Sequence, residues 1–321
     1  MDKRVGPQAA GRRLAWEELP ASVRQALEDH FGARVEQAET QVGGFSPGVA
    51  SRLALSDGSR IFVKAVGPHP NDRSPSIHRS EARIAAQLPE ETPSPRLKWS
   101  YDDGEWVALV FEDVEGHTPR LPWVKDELER VLAAVTDLAT ILTPAPIQVH
   151  SVAQQWRNAF TGWRRFAAAM TESSEIKTLD SWARDHVDHL AALESDWEDA
   201  AAGNTLLHND LRADNILISP TKISFVDWPW ASIGAAWFDL VLMLPSVAMQ
   251  GGPDPETILR AHPLSQGVDD DSVNSVLAAA SGFFMWYSAQ PPEPGLPTLR
   301  EFQRAQGRQA LDWLRRRTGW A

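Results

Sequence analysis

A chain of 321 residues, 43% of them hydrophobic, is too long for one minimal core and fits two lobes or one large domain. Forty-three acidic residues against thirty-one basic ones leave a formal charge of -12, which disfavours nucleic acid polymers and anionic membrane surfaces and weakly favours cationic ligands. Cysteine is absent, which excludes disulfides, thiolate nucleophiles and cysteine metal sites, and the longest apolar run, residues 237–249, is interrupted by Asp239 and Pro245, so the sequence reads as a soluble cytoplasmic protein.

Residues 15–32 carry apolar positions at helical spacing and stop at Gly32, which predicts an opening helix. Three strand-like runs follow at 34–42, 49–56 and 60–66, the last two joined by Asp57-Gly58, a strong hairpin signal. A Pro-rich loop leads to a predicted helix over 77–88, and 96–113 predicts a second hairpin turning at Asp103-Gly104. From about residue 120 the pattern is helical, over 125–142, 151–170, 178–200, 235–248, 270–289 and 297–317. Two short strand-like runs, 215–219 and 222–228, turn at Pro220-Thr221 inside that half. The expectation is an α+β fold: residues 1–112 form a small antiparallel-sheet lobe led by a helix, residues 113–321 a larger helical lobe, and ligands sit in the cleft between them.

The stretch LLHNDLRADNILIS, 206–219, gathers histidine, aspartate and asparagine between apolar flanks, where an ordinary turn would gain little from acidic groups. Its spacing is His208-x-Asp210-x-x-x-x-Asn215, with Asp227 downstream in SFVDW. That spacing matches the phosphoryl-transfer template, in which an aspartate takes the acceptor hydroxyl's proton while an asparagine and a later aspartate hold Mg²⁺ on the nucleotide phosphates. Mg²⁺ asks for hard oxygen ligands and keeps positions for phosphate and water, so Asn215 and Asp227 suffice as its protein ligands.

The template requires a lysine and a partner glutamate upstream. In RIFVKAV, strand alternation puts Lys64 on one face with Phe62 and Val66 and leaves Ile61, Val63 and Ala65 on the other, so a lysine among apolar neighbours needs an anion. Glu81 shares a helical stripe with Ile84, Ala85 and Leu88, which turns it inward. GGFSPGVAS, 43–51, lies between two strands, and its Gly44, Ser46 and Gly48 suit a turn whose backbone covers phosphates.

These residues, in this order, resemble the aminoglycoside phosphotransferase and choline kinase branch of the protein-kinase-like fold over roughly 35–317. The resemblance implies Asp210 as catalytic base, Asn215 and Asp227 as Mg²⁺ ligands, Lys64 on the phosphates of ATP or GTP and Glu81 as its anchor. It also implies that the backbone of FEDV, 111–114, meets the adenine through Glu112 and Val114, and that Asp239 ties down the catalytic loop. Asn209 where protein kinases carry arginine, Trp228-Pro229 after Asp227, and the lack of an Ala-Pro-Glu segment count against protein substrates.

Arg212, two residues past the base, offers a cation for the transferring phosphoryl group, and His208 is expected to shape the loop instead of moving protons. His186 and His189 read as a solvated face, with no third ligand in view for a metal. Trp228, Trp230, Trp286 and Asp270 are nominated for the acceptor, from proximity to the motif or from composition. The resulting expectation is a Mg²⁺-dependent kinase acting on a hydroxyl of a small, cationic molecule such as an aminoglycoside. The alternatives are a catalytically silent nucleotide binder on the same fold and a protein kinase.

Overall fold

The computed structural model describes residues 6–169 and 174–320. An extended strap, residues 6–15, comes first. Its Gly6 N–H donates to the Met249 carbonyl (3.1 Å) and Arg12 N–H to Gly295 (2.9 Å), while Gly48 N–H donates back to Arg12 (3.0 Å). The opening helix starts later than the sequence suggests. Residues Trp16–Glu18 form one 3-10 turn, and α1 (Ala21–Phe31) begins after Pro20, which has no N–H to give to a continuous helix. Gly32 ends α1 at φ 64°, a left-handed stop that glycine adopts without strain.

Strands β1 (Val35–Thr40), β2 (Val49–Leu55) and β3 (Arg60–Val66) form the expected meander. Helix α2 (Ser74–Ala85) begins three residues ahead of expectation because Pro75 fits the first helical turn. Strands β4 (Leu97–Asp102) and β5 (Val107–Glu112) close a five-stranded antiparallel sheet of order β1-β2-β3-β5-β4. Alternation along β3 sorts its side chains: Ile61, Val63 and Ala65 are buried in a cluster with Trp16, Leu27 and Leu53, while Phe62 packs beside Phe111 on the opposite face. Lys64, two residues on, shares the Phe62 face and pairs in register with Leu109 of β5.

The rest of the chain is mainly helical, with α3 at Lys125–Ile141. The helix expected over 151–170 is two helices, α4 (Val152–Trp156) and α5 (Gly162–Ala168); residue 170 lies outside the described residues. The one expected over 178–200 is three, α6 (Ser181–Asp185), α7 (Val187–Ser195) and α8 (Trp197–Ala200). Next come β6 (Thr205–Leu207), β7 (Ile216–Ile218), β8 (Ile223–Phe225) and β9 (Ser232–Gly234), in which β6 pairs with β9 and β7 with β8. Helices α9 (Phe238–Met249), α10 (Pro255–Ala261), α11 (Asp270–Ser288) and α12 (Leu299–Thr318) complete the chain; β6, β9 and α10 carry too few residues for a periodic signal. Among the described residues no helix is long and apolar enough to cross a membrane.

The helical core is built on wholly buried aromatics, Trp163, Phe166, Trp197, Phe238 and Trp313. Glu194, without solvent exposure, accepts hydrogen bonds from Trp163 N–H, Arg164 N–H and Arg164 Nε and so ties α7 to the start of α5. Here α5 and α11 meet backbone to backbone: a Cβ on Gly162 would lie 1.9 Å from the Gly282 carbonyl oxygen. Gly162→Ala is therefore expected to destabilise the fold by about 1–3 kcal/mol. The measurement is urea unfolding, which should show a lower midpoint at unchanged slope; an unshifted midpoint would refute the close approach.

Candidate active site

Three side chains from three separate elements meet on one face of the sheet, at its central strand. Lys64 Nζ lies 2.7 Å from Glu81 Oε1 on α2 and 2.7 Å from Asp227 Oδ1, just past the end of β8. Burial works against the charge on Lys64, yet the two carboxylates outweigh it and its pKa is raised. Glu81, 2% exposed, is pushed up to about 7 by burial against the pull of Lys64. Asp227 is more open to solvent, and the Lys64 ammonium overcomes its burial and holds it at about 2. Asp227 also adopts φ 73°, in the left-handed region where a non-glycine residue is strained, a feature that concentrates at functional sites.

Between β6 and β7 runs the loop that carries the motif. Asp239, near the start of α9, accepts 2.7 Å bonds from the backbone N–H groups of His208 and Asn209, so both main-chain donors are anchored by one carboxylate. Burial raises the Asp239 pKa to about 6 while those donors pull it down. Asn209 takes φ 66°, and its side-chain amide donates to the Trp230 carbonyl and Ser232 Oγ (both 2.8 Å), which turns the chain toward Asp210. His208 Nε2 faces the Val226 carbonyl (3.0 Å) and its Nδ1 accepts from Asp210 N–H (3.2 Å), an arrangement that assigns the Nε2–H tautomer. Burial lowers its pKa to about 4, so the ring is neutral and acts as a brace. Asp239→Asn should cost about 1–3 kcal/mol of stability, because an amide can accept from only one of the two N–H groups. Denaturant unfolding would reveal it, and a wild-type midpoint would show that the loop does not depend on this carboxylate.

Asp210 receives Asn215 Nδ2 at both its carbonyl (2.8 Å) and Oδ2 (3.1 Å). Its other oxygen is 2.5 Å from Arg212 Nη1, and Arg212 grips Asp214 with two further bonds of 3.0 and 2.9 Å. Burial pushes Asp210 up to about 7, against the lowering effect of Arg212. Arg212, shielded by Phe45 and Phe302 at 5.3 and 5.6 Å from the ring centroids, is raised by Asp210 and Asp214 despite its own burial. Asp214, Phe45 and Phe302 carry no signal in the sequence that marks them for this contact.

A cavity of about 600 Å³ opens between the sheet and the helical part. Gly43, Gly44 and Ser46 of the glycine turn, Lys64 and Glu81, Phe111 to Val114, and Asn215 and Asp227 all line it. That size is ordinary for a small-molecule site. At Gly48, φ is 122° and a Cβ would fall 2.3 Å from the Ala65 carbonyl oxygen, so the turn can lie this close to β3 only with glycine. Arg52 donates to the Val114 carbonyl (2.8 Å) and pairs with Asp113 (3.1 Å), fixing the 113–114 backbone. Among the described residues no cluster of three or more His, Cys, Asp or Glu side chains can hold a metal. Asn215 Oδ1 and Asp227 Oδ2 have no hydrogen bond there either, and one amide oxygen plus one carboxylate oxygen is the donor set that suits Mg²⁺ carried on phosphates.

The residues nominated for the acceptor divide. Trp230 packs on Trp156 at 5.9 Å and Trp156 on Phe283 at 5.8 Å, whereas Trp286 packs edge-on against Phe166 of α5 at 5.0 Å with the Arg165 guanidinium over its ring; neither Trp230 nor Trp286 lines the cavity. Trp228 is 1% exposed, packs on His208 and donates from its indole N–H to the Phe225 carbonyl, so it supports the loop from inside. Asp270 needs correction. It pairs with Arg260 (2.9 Å) and Arg317 (2.7 Å) at the opposite end of α11 from Trp286, about 24 Å away along the helix axis. Composition gave that carboxylate no address, and two arginines occupy it. His186 and His189 stack around Trp182 and Trp320 and hold no metal cluster among the described residues.

A two-part kinase-like fold with a lysine–glutamate pair on the sheet side and an aspartate-rich loop on the helical side defines a phosphotransferase. The family model for APH, the phosphotransferase enzyme family, matches residues 43–272, and the chain belongs to that family of small-molecule phosphotransferases. Solved structures agree in fold. Aminoglycoside phosphotransferase APH(4)-Ia in ternary complex with AMP-PNP and hygromycin B is 14% identical at a TM-score of 0.59, covering 92% of this chain and 98% of that one. An aminoglycoside-3'-phosphotransferase of type VIII is 21% identical at 0.51, covering 81% and 97%. A choline/ethanolamine kinase family protein from Mesorhizobium loti is 13% identical at 0.56, covering 91% and 93%. No curated protein matches the chain by sequence.

Proposed function

We propose that the protein transfers the γ-phosphoryl group of ATP or GTP to a hydroxyl of a small, hydroxylated, cationic molecule, with an aminoglycoside or another antibiotic as the finer reading. The observation that carries this is the convergence of Lys64, Glu81 and Asp227 with the Asp210–Asn215 loop beside one cavity. The AMP-PNP and hygromycin B held by APH(4)-Ia support the substrate classes. In this reading the division falls near residues 112–113: the sheet lobe brings the nucleotide and the helical lobe the acceptor.

Asp210 takes the hydroxyl proton as the acceptor oxygen forms its bond to the γ-phosphorus and the bond to the β-phosphate oxygen breaks. With its pKa at about 7, Asp210 is half ionised near neutrality, a sound compromise for a base. Asn215 and Asp227 would hold Mg²⁺, which neutralises charge on the phosphates when bound. Lys64, kept in place by Glu81, meets the phosphates, the backbone N–H groups of Gly44 and Ser46 cover them while Gly48, whose N–H is taken by the Arg12 carbonyl, shapes the turn, and the backbone of Glu112 and Val114 receives the base. Arg212 leaves Asp210 and follows the charge on the transferring group, which also exposes the base to its acceptor. Trp230 offers an aromatic face that attracts a cationic acceptor, whereas the Trp286 ring already carries the Arg165 guanidinium at 5.6 Å.

One observation favours a catalytically silent nucleotide binder: Arg212 covers the Asp210 carboxylate. A phosphorylation screen across aminoglycosides, other hydroxylated antibiotics, sugars and amino alcohols, with Asp210→Ala as the blank, separates the two. Acceptor-dependent nucleotide turnover that disappears in the blank supports the kinase; tight nucleotide binding with no acceptor in any class supports the silent protein.

A further inference from the structure

We propose that Arg13, carried by the N-terminal strap, is a positioning residue for the nucleotide's terminal phosphates. The proposal rests on the nucleotide site described above and adds a residue that lies ahead of the family match at 43–272. Arg13 arrives there because the strap is bonded to both halves of the molecule: Leu14 N–H donates to the Gly48 carbonyl (3.0 Å) and Gly48 N–H to Arg12, while Arg12 N–H reaches Gly295 and Ala10 N–H reaches Thr298 Oγ1 (3.1 Å). Gly11 lies tight against the glycine turn, since a Cβ there would come within 2.7 Å of the Ser46 carbonyl oxygen.

Among the described residues, the basic side chains lining the cavity are Arg13, Arg52 and Lys64. Arg52 is paired with Asp113, and Lys64 with Glu81 and Asp227. Among the described residues Arg13 has no carboxylate in salt-bridge range. Its Nη1 donates to the Ser46 carbonyl (2.6 Å) and its Nη2 to the Gly43 carbonyl, and its Nε is buried with no hydrogen-bond partner among the described residues. A guanidinium taken out of water without a counter-anion is costly, and here burial lowers its pKa while Asp227 and Asp214, near enough to be felt, pull it back. An anion bridging the Asp227 end of the cavity and the glycine turn would supply the missing charge. A polyphosphate seated between Lys64 and that turn has this position, and a planar fork of donors matches its oxygens better than an ammonium does. The two carbonyl bonds orient the guanidinium beforehand, so little ordering remains to be done on binding.

The test is titration calorimetry in Mg²⁺ with AMP-PNP and adenosine, and in parallel with GMP-PNP and guanosine, on wild type, Arg13→Gln and Arg13→Lys. Arg13→Gln should weaken binding of the preferred triphosphate about 10- to 100-fold and leave its nucleoside within about twofold, with Arg13→Lys in between. The triphosphate-to-nucleoside ratio within one variant is insensitive to a reduced folded fraction. A ratio unchanged in Arg13→Gln overturns the proposal, whether both ligands stay tight or both weaken equally, the latter marking a clamp on the turn. Wild type that binds neither triphosphate brings down the nucleotide-site reading itself and this proposal with it.

Discussion

Asp210→Asn is expected to lower phosphoryl transfer by about 10²–10⁴-fold while leaving nucleotide affinity within about twofold. The substitution keeps the size of the side chain, and its surroundings keep their other bonds: Asn215 still donates to the residue 210 carbonyl, and Arg212 still holds Asp214 through two contacts. What disappears is the carboxylate proposed to take the proton. The same residue sets the pH response. A base must be deprotonated to act, and burial puts Asp210 at about 7, so kcat/KM should fall as pH drops through about 7 and level off above it. Glu81, also pushed up to about 7, reinforces the trend, since its protonation removes one of the charges that hold Lys64. Steady-state kinetics between pH 5.5 and 9, roughly the range that brackets these groups, test both statements. A variant retaining a tenth or more of wild-type turnover would remove Asp210 from the chemistry.

Asp227→Asn should fail differently. Lys64 keeps Glu81 and the sheet is undisturbed, so the fold and nucleoside binding survive. The amide supplies a neutral oxygen where the carboxylate, held at about 2, is charged at every working pH. Its partner ligand Asn215 is already neutral, so the site loses its whole formal charge toward a divalent cation. Turnover should drop about 100-fold or more, corresponding to a few kcal/mol of lost charge stabilisation, and the Mg²⁺ needed for half-maximal rate should rise. Kinetics across a Mg²⁺ titration measure both. An Asp227→Asn protein with an unaltered Mg²⁺ requirement would mean that the ion is held elsewhere.

Lys64, Glu81 and Asp239 were legible in the chain because their signals are local. Lys64 violates the apolar alternation of a strand, Glu81 sits on the inward stripe of a helix, and Asp239 is an acid in an apolar run; each is a polar group that burial obliges to find a partner, and the structure supplies those partners at 2.7 Å. The two hairpins were legible for a similar reason, since Asp57-Gly58 and Asp103-Gly104 dictate the turn with Gly58 and Gly104 at positive φ. What stayed hidden is long-range. Arg13 belongs to an extended strap without periodicity, and its partners lie 30 and 33 residues away. The Phe45–Phe302 contact that encloses Arg212 spans most of the chain. Breaks such as the one before Gly162 arise from helix–helix approach at Gly282, which a helical apolar period does not register. Asp270 was misplaced because a run of acids shows charge but not which arginines will meet it.

In the proposed function one metal–triphosphate complex is held jointly by the sheet and the catalytic loop. The most direct measurement is a crystal structure with Mn²⁺ and a non-hydrolysable triphosphate, AMP-PNP or GMP-PNP, using the anomalous signal of the metal. A peak within coordination distance of Asn215 Oδ1 and the Asp227 carboxylate, with phosphate oxygens beside Lys64, is the predicted result. Ordered nucleotide with the metal away from both side chains, or phosphates that leave Lys64 uncontacted, would contradict it.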